Sequence, residues 1–331
     1  MLKSLYDGSC ASIKTDFGIT RSLAIKKGVK QGDMLSAILF CIVLASVILK
    51  TEQQCSDSGF SIGGQILSNL SYADDIALLN KDIASLQEFI NALTLNAKEI
   101  GLDINLTKTE CMTTAKDQPR LNMTINGKPI KQVTEFVYLG FKLSSKNDPE
   151  VAVRHRIGLG WAAFGKQEHI LKSTRVPYHI KTKVYLCYIL PVVLFGLDCV
   201  TWTRVLESKI EVFQNHVLRF ITGRRLIDKT KITTLREITK TVPLVAKIRS
   251  KTLKLFGHIK RSSIGLSKLC LEGNVQGKRK RGKPKARWRD NIISWTPFDN
   301  WFRLNCHTQD RNAWKRISHV SSQSAVGGNS V

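Results

Sequence analysis

The stretch "NLSYADDIAL", residues Asn69 to Leu78, places two adjacent carboxylates, Asp74 and Asp75, inside an otherwise apolar run. The pattern predicts two strands joined by a tight turn, with both acids at the exposed tip of a hairpin. Adjacent carboxylates repel each other, and a bound divalent cation that accepts hard oxygen ligands removes that repulsion. On its own the pair is equally compatible with a solvated turn, so its interpretation depends on the neighbouring sequence.

A glycine-rich loop lies upstream, in the stretch "KKGVKQGDMLSAILF". Gly28 and Gly32 permit close backbone approach, and Gln31 offers an amide donor and an amide acceptor beside them. Ser36 follows at the start of an apolar segment that predicts a buried helix over residues 34–50. Such a loop and helix suit an enzyme that must hold an incoming nucleotide against a template base.

Together the two stretches resemble the reverse transcriptases of non-LTR retrotransposons. The family has a Gly-Val-x-Gln-Gly-Asp-Pro-Leu-Ser motif followed by a Tyr/Phe-Ala-Asp-Asp hairpin. This chain matches the hairpin in full and departs from the first motif at Met34 and Ala37, where the family usually has proline. "GLDINLTKTECM" is similar to a family segment whose lysine, here Lys108, lies near the phosphates of the nucleotide.

Further matches follow in the order that the family shows. "FVYLGFKLS" is similar to the primer grip, here Tyr138, Leu139 and Gly140, which positions the primer end in that family. "LPVVLFGLDCVTW", "LFGHIKR" and "DRNAWKRI" are similar to C-terminal stretches of jockey, RTE and CR1 elements. The resemblance therefore spans nearly all of residues 1–317.

The resemblance implies an α+β fold in three parts. A partial polymerase palm, an antiparallel sheet with helices, is expected over residues 1–145. An α-helical thumb is expected over 146–260, followed by a basic nucleic-acid-binding region with a disordered tail over 261–331. Helical spacing favours helices at 82–100, 149–173, 177–195, 204–221 and 243–260. "GLDINLTKTECM" is strand-like, and Asn126-Gly127 predicts a hairpin turn.

The resemblance also implies a chemistry, namely RNA-directed DNA synthesis by two-metal nucleotidyl transfer. Asp74 and Asp75 would be the catalytic carboxylates and the ligands of Mg²⁺ or Mn²⁺. Nucleotide-binding residues would be Gln31, Gly32 and Lys108. The implied partners are an RNA template, a DNA primer or target and deoxynucleotide substrates, with no membrane, while the oligomeric state is left open.

One part of the family's active site has no counterpart in the sequence. The family uses a third carboxylate from an earlier palm strand, and only Asp7 and Asp16 precede Gly28 here, without that context. We therefore expect an N-terminally truncated chain that lacks the upstream endonuclease and the first carboxylate motif and is inactive by itself. The alternative is a non-catalytic nucleic-acid-binding remnant of a retroelement, and the genomic DNA upstream of Met1 would separate the two.

The charge is unevenly distributed. Residues 1–110 hold 10 Lys and Arg against 12 Asp and Glu, whereas residues 111–331 hold 41 against 14. Such an asymmetry favours a second half that lies along a polyanion. Basic residues available in the expected thumb are Arg154, Arg156, Lys166, Lys172, Arg175, Lys181 and Lys183. The pattern assigns no role to any one of them, because each could be an ordinary surface charge.

A denser basic run lies near the C-terminus and contains a tryptophan. Its members are Lys278, Arg279, Lys280, Arg281, Lys283, Lys285, Arg287, Trp288 and Arg289. This run predicts phosphate contacts, with the indole stacked on a base. A nuclear localisation address or a solvated tether would have the same composition.

The remaining features concern compartment and core. The eight cysteines form no Cys-x-x-Cys pair and follow no signal peptide, which predicts reduced thiols in an intracellular, nuclear protein. The apolar stretch Met34–Leu49 is too short, and "ILPVVLFGLDCV" is too broken, to span a bilayer of roughly 20 apolar residues, so both are expected to be core helices. Three tryptophans are expected to be core anchors: Trp161, Trp202 and Trp314.

Overall fold

A computed structural model describes residues 6–25, 27–56, 58–263, 265–272 and 286–324. Within them the chain is mixed α and β, as the sequence predicts, and helices dominate its second half. The fold divides into two compact units. The first comprises Met1–Phe60, Ile66–Leu106 and Thr124–Lys128, and the second comprises Ser61–Gln65, Thr107–Met123 and Pro129–Val331. The predicted division at 145 and 260 stays a prediction.

The strands are short. In chain order they are β1 Cys10–Ala11, β2 Lys14–Thr15, β3 Gly18–Ile19, β4 Leu23–Ala24, β5 Phe60–Ile62, β6 Gln65–Leu67, β7 Asn69–Tyr72, β8 Asp75–Leu78, β9 Glu110–Cys111, β10 Thr124–Ile125, β11 Lys128–Pro129, β12 Lys131–Gln132, β13 Glu135–Tyr138 and β14 Phe141–Ser144. Across the described ranges they pair two by two and form no continuous sheet. The β7–β8 and β13–β14 pairs are antiparallel, whereas β9 and β12 are parallel.

The predicted Asn126-Gly127 turn is present, whereas most of the strand predicted in "GLDINLTKTECM" is not. Asn126 and Gly127 both have positive φ, 50° and 74°, as a type I′ turn requires, and they lie between β10 and β11. In "GLDINLTKTECM", by contrast, only β9 is a strand and the preceding residues are turns and irregular backbone. That strand prediction is mostly wrong, because Leu102 and Ile104 pack against helices instead of joining a ladder.

Thirteen α-helices lie wholly within the described residues. They are α1 Met34–Gln54, α2 Ile83–Glu99, α3 Pro149–Lys166, α4 Glu168–Leu171, α5 Tyr178–Val184, α6 Leu190–Leu194, α7 Arg204–Thr222, α8 Ile232–Thr239, α9 Leu244–Arg261, α10 Leu266–Glu272, α11 Trp288–Ser294, α12 Trp301–Gln309 and α13 Arg311–Ser324. A π-helical segment, Tyr185–Ile189, connects α5 to α6. It precedes Pro191, which has no amide hydrogen to continue the α-helical ladder.

Helix α1 is longer and more exposed than the sequence predicts. It runs for 21 residues, and its buried positions are Ser36, Leu44, Val47, Ile48 and Thr51. Ile38, Ile42 and Leu49 are exposed, so the expectation of a buried core helix holds for one face only. Among the described helices, α1 alone is long and apolar enough to cross a bilayer, a test that core helices also pass.

The first unit is organised around the contact between α1 and α2. Leu44, Val47 and Ile48 of α1 pack against Leu93 and Ala97 of α2. Hydrogen bonds reinforce the contact. The side-chain amide of Asn96 on α2 donates to the Thr51 hydroxyl and to the Gln54 amide oxygen on α1, each at 2.9 Å. The two helices therefore form a fixed platform.

The second unit is built on a larger helical core, to which α3, the π-helical segment, α6, α7 and α9 contribute. Trp202 and Trp314 are 3% and 2% exposed, which confirms them as core anchors. The indole of Trp314 donates to the Leu253 carbonyl at 2.7 Å. Trp161 is half-buried and meets the Phe213 ring edge-on, with centroids 5.0 Å apart.

Two glycines on α3 allow a matched test of this core. A Cβ on the buried Gly160 would overlap Val193 and lie 2.9 Å from Phe213, whereas a Cβ on the exposed Gly158 would meet nothing within 4 Å. We predict that Gly160→Ala lowers the free energy of unfolding by about 1–3 kcal/mol through overpacking. Gly158→Ala should raise it by about 0.5–1 kcal/mol, because alanine is the better helix former.

Urea unfolding of the second unit's helices, followed by circular dichroism, measures both changes. Equal effects of the two substitutions would contradict the close packing at Gly160.

Candidate functional site

The two adjacent carboxylates lie on the hairpin that the sequence predicts. Strands β7 and β8 are antiparallel, Tyr72 pairs with Asp75, and Asp74 lies in the turn. Ala73 has φ of 51°, in the left-handed region that residues other than glycine seldom adopt. Both carboxylates are exposed. The turn therefore displays one acid at its tip and the other at the first position of β8.

Apolar packing supports this hairpin from below. Ile76 and Leu78 of β8 pack against the cluster formed by α1 and α2. Because side chains alternate along a strand, Asp75 lies on the opposite face of β8 from Ile76. One face of the hairpin thus packs on the platform formed by α1 and α2, and Asp75 lies on the other face.

A carboxylate on α1 fixes the base of the same hairpin. Glu52 accepts hydrogen bonds from the Ser68 hydroxyl at 2.6 Å and from the Asn69 amide at 2.8 Å. The backbone ladder continues beyond β8, since the Leu79 amide donates to the Ser68 carbonyl at 2.7 Å. Sequence reasoning missed Glu52, the one acidic residue of α1, because nothing in the sequence indicates that it faces the hairpin.

The glycine-rich loop is anchored by the residues that follow it. Asp33 accepts a backbone N–H in the first turn of α1 at 3.1 Å and caps the helix. The buried Ser36 hydroxyl donates to the Lys30 carbonyl at 2.5 Å. These contacts hold the loop backbone while Gln31 and Gly32 remain exposed. The predicted nucleotide-binding residues of the loop are therefore accessible on a fixed backbone.

An open pocket of about 600 Å³ lies against this loop. Tyr6 and Asp7 line it from the start of the described chain, and Lys27 and Lys30 line it from the loop. The lysines supply positive charge that suits a phosphate group. Lys108, the third predicted nucleotide-binding residue, is exposed in a turn of the second unit.

The predicted primer grip forms a second hairpin, within the second unit. Tyr138 pairs with Phe141, and Leu139 and Gly140 form the turn, with φ of 47° and 75°. Two consecutive left-handed residues are typical of a type I′ turn, whose twist matches that of the flanking strands. The Tyr-Leu-Gly motif therefore forms the end of a tight hairpin.

A buried arginine reaches this turn from α3. Arg156, which is 5% exposed, donates to the Gly140 carbonyl and lies 3.5 Å from the Val192 carbonyl. Its guanidinium carbon lies 4.6 Å from the centroid of the Phe195 ring. Burial lowers the pKa of Arg156 from its ordinary value. Sequence reasoning singled out no thumb arginine, although Arg156 is in register with the buried face of α3.

The C-terminal basic run is only partly described. Six of its predicted nucleic-acid-binding residues lie outside the described ranges: Lys278, Arg279, Lys280, Arg281, Lys283 and Lys285. Arg287, Trp288 and Arg289 begin α11 or directly precede it. The Trp288 indole donates to the Asp198 carbonyl at 2.8 Å, and its ring packs near Phe256. Trp288 anchors the fold here, and its stacking on a base stays a prediction.

The donors for a divalent cation are suitable in kind but few in number. Asp74 and Asp75 supply the carboxylate oxygens that Mg²⁺ and Mn²⁺ prefer. Throughout the described ranges, no group of three or more His, Cys, Asp or Glu side chains is placed to hold a metal ion. The hairpin therefore offers part of a ligand set.

Comparison with known proteins places these features in a family context. Residues 1–143 match the family model of reverse transcriptases, RNA-dependent DNA polymerases. A transposon-derived protein of Caenorhabditis elegans is 24% identical over 80% of this chain and 90% of its own length. The RNA-directed DNA polymerase from mobile element jockey of Drosophila funebris is 27% identical over 67% of this chain.

A third relative is the retrovirus-related Pol polyprotein from a type-2 retrotransposable element of Drosophila melanogaster. It is 28% identical over 44% of this chain and 14% of its own length. The match to the jockey protein covers 25% of that protein. The chain thus spans most of the nematode relative but a quarter or less of these two polymerase-containing relatives.

The anchor between Ser36 and the loop can be tested by proteolysis. We predict that Ser36→Ala speeds trypsin cleavage after Lys27 and Lys30 by about tenfold, because loss of a buried hydrogen bond costs about 1–3 kcal/mol. Ser46→Ala is the matched control on α1, since its exposed hydroxyl bonds only within the helix, to the Val43 carbonyl at 2.7 Å.

Mass spectrometry of the fragments measures the cleavage rate at each lysine. Equal rates in the two variants would show that Ser36 does not hold the loop.

Proposed function

We propose that this chain carries the carboxylate hairpin of an RNA-directed DNA polymerase. The premise is that the chain belongs, through residues 1–143, to the reverse transcriptases of non-LTR retrotransposons. Members of that family generally use divalent metal ions and bind a template and a primer. The observation that carries the proposal is the exposed Asp74–Asp75 turn inside the matched segment.

The roles of individual residues follow from this geometry. Asp74 would be the carboxylate that bridges metal ions, and Asp75 would support it. A pair of Mg²⁺ or Mn²⁺ ions, when bound, would stabilise charge on the attacking and leaving oxygens of nucleotidyl transfer. Gln31 and Gly32 would contact the deoxynucleotide from the anchored loop of the first unit. The role of Lys108, which lies in the second unit, stays a prediction from the family resemblance. The exposure of these groups supports the assignment.

A complete site of this class needs a third carboxylate. Among the described residues, no third acid, histidine or cysteine is placed beside the pair to hold a metal ion. Loss of such a ligand typically reduces the rate on the order of a thousandfold or more. We therefore propose that this chain by itself is an inactive or very slow polymerase.

The second unit is suited to nucleic-acid binding. A groove of about 680 Å³ is lined by Lys172, Arg175, His179, Tyr178 and Phe220, among others. Cations beside exposed aromatic rings suit a phosphate backbone whose bases can stack. This groove and the incomplete carboxylate set favour a second candidate function, a non-catalytic nucleic-acid-binding protein of retroelement origin. A nuclear location stays a proposal, which the basic run at 278–289 supports because such a run can serve as a nuclear address.

Binding of nucleic acid should depend steeply on salt. We predict that the dissociation constant for an RNA–DNA primer duplex rises by about a thousandfold between about 50 and 200 mM salt, because counterions are released on binding. Arg175→Ala should make the slope of the logarithm of affinity against the logarithm of salt shallower by about 1. Lys50→Ala, which removes an exposed charge in the first unit, is the control.

Fluorescence anisotropy at several salt concentrations gives both slopes. An affinity that is independent of salt would contradict nucleic-acid binding by the basic unit.

Primer extension separates the two candidate functions. With RNA template, DNA primer, deoxynucleotides and Mg²⁺, we predict that the chain binds the duplex but extends it no faster than background. Asp74→Asn and the control Asp103→Asn, an exposed acid elsewhere in the first unit, should then behave alike.

Robust synthesis that disappears in Asp74→Asn and persists in Asp103→Asn would contradict the proposed inactivity and establish a working polymerase. Absence of duplex binding would contradict both candidate functions.

A further inference from the structure

We propose that Arg156 is a positioning residue that fixes the turn of the β13–β14 hairpin against the helical core, so that the turn can hold a primer end. This inference rests on the proposed function, because the turn matters for catalysis only if it meets a primer. The contacts on which it depends lie entirely within the second unit.

The first argument is the burial of a charge. Arg156 lies on the face of α3 that also buries Val153, Gly160 and Phe164. A buried charge costs free energy unless it is hydrogen-bonded, and an apolar side chain of similar volume is often as stabilising. A guanidinium at this position is therefore explained by the hydrogen bonds that it donates, and the acceptors of those bonds indicate its role.

The donors converge on the turn and on α6. The guanidinium donates to the Gly140 carbonyl and lies 3.5 Å from the carbonyl of Val192. Its central carbon lies 4.6 Å from the centroid of the Phe195 ring. One hydrogen-bonding group, Nε, has no partner. The remaining contacts thus join the tip of the hairpin to the end of a core helix.

The second argument is the close fit around the turn. A Cβ on Gly140 would lie 3.4 Å from Arg156 and 3.6 Å from Phe195. A Cβ on Gly196, whose φ is 72°, would lie 2.7 Å from the Phe141 ring. The hairpin is therefore enclosed on its inner side by the arginine, the phenylalanine and the glycine that follows it.

The tip and the outer face of the hairpin are accessible. Leu139 in the turn is 40% exposed, and Val137, which pairs with Lys142 on the face opposite Phe141, is 48% exposed. Apolar side chains at the tip suit the sugar and base of a primer terminus, whereas the buried arginine cannot reach it. Arg156 thus acts on a primer through the hairpin and makes no phosphate contact of its own.

The test compares three substitutions in the full chain. Arg156→Met keeps length and removes every donor, and Arg156→Lys keeps the charge but loses the planar fork. Lys166→Met is the control, since Lys166 lies on the same helix, is exposed and contributes the same net charge. Circular dichroism shows that each variant is folded, and Phe195→Leu replaces Arg156→Met if that variant does not fold.

Three readouts together distinguish positioning of the turn from binding of the duplex. Fluorescence anisotropy gives the dissociation constant for a primer–template duplex, and 2-aminopurine at the primer 3′ end reports its local environment. Hydrogen exchange at residues 138–141 reports the stability of the turn. We expect Arg156→Met to raise that exchange about tenfold, because a hydrogen bond to a charged group is lost. The lysine variant should be intermediate.

The expected result is a lost 2-aminopurine signal in Arg156→Met, with a dissociation constant changed less than about threefold, and an unchanged signal in Lys166→Met. Unchanged exchange and signal in Arg156→Met would overturn the inference. A large loss of affinity with a normal terminal signal would also overturn it, since Arg156 would then be a phosphate contact. Failure of the unsubstituted chain to bind the duplex would instead contradict the proposed function.

Discussion

The packing of the β7–β8 hairpin on helices α1 and α2 is the constraint on which the proposed site depends. Ile76 and Leu78 join the cluster that these helices form, and Glu52 holds the base of β7. Because one face of the hairpin packs on the core and side chains alternate along a strand, Asp75 lies on the other face, and Asp74 lies in the turn. Two acids that are adjacent in sequence are thus displayed at the exposed end of a hairpin whose other face is packed on the core.

The two units have different chemical characters. The first is close to electrically neutral and displays its acids on a rigid hairpin, while the second contains most of the excess positive charge. Nucleotidyl transfer needs both properties, namely carboxylates for metal ions and a basic surface for nucleic acid. The β13–β14 hairpin belongs to the basic unit, and Arg156 connects it to that unit's core. The charge of Arg156 is thus used inside the protein.

Local patterns predict much of this fold. The hairpin at Asp74, the Asn126-Gly127 turn and helices α2, α7 and α9 follow from alternation, turn chemistry and helical spacing. Contacts between distant segments could not be predicted. Glu52 lies in the last turn of α1, where an acid is ordinarily an exposed surface charge, and the open face of α1 depends on what packs against it. Arg156 was one of several basic residues, and only the position of Gly140 in space gives it a role.

The central claim is that Asp74 and Asp75 together bind a divalent cation, and Mn²⁺ titration followed by electron paramagnetic resonance tests it most directly. With the primer–template duplex present, the account predicts that the chain binds Mn²⁺ and that Asp74→Asn or Asp75→Asn weakens binding at least about tenfold. Asp103→Asn should leave it unchanged. Equal Mn²⁺ affinity in the unsubstituted chain and in both hairpin variants would contradict the account.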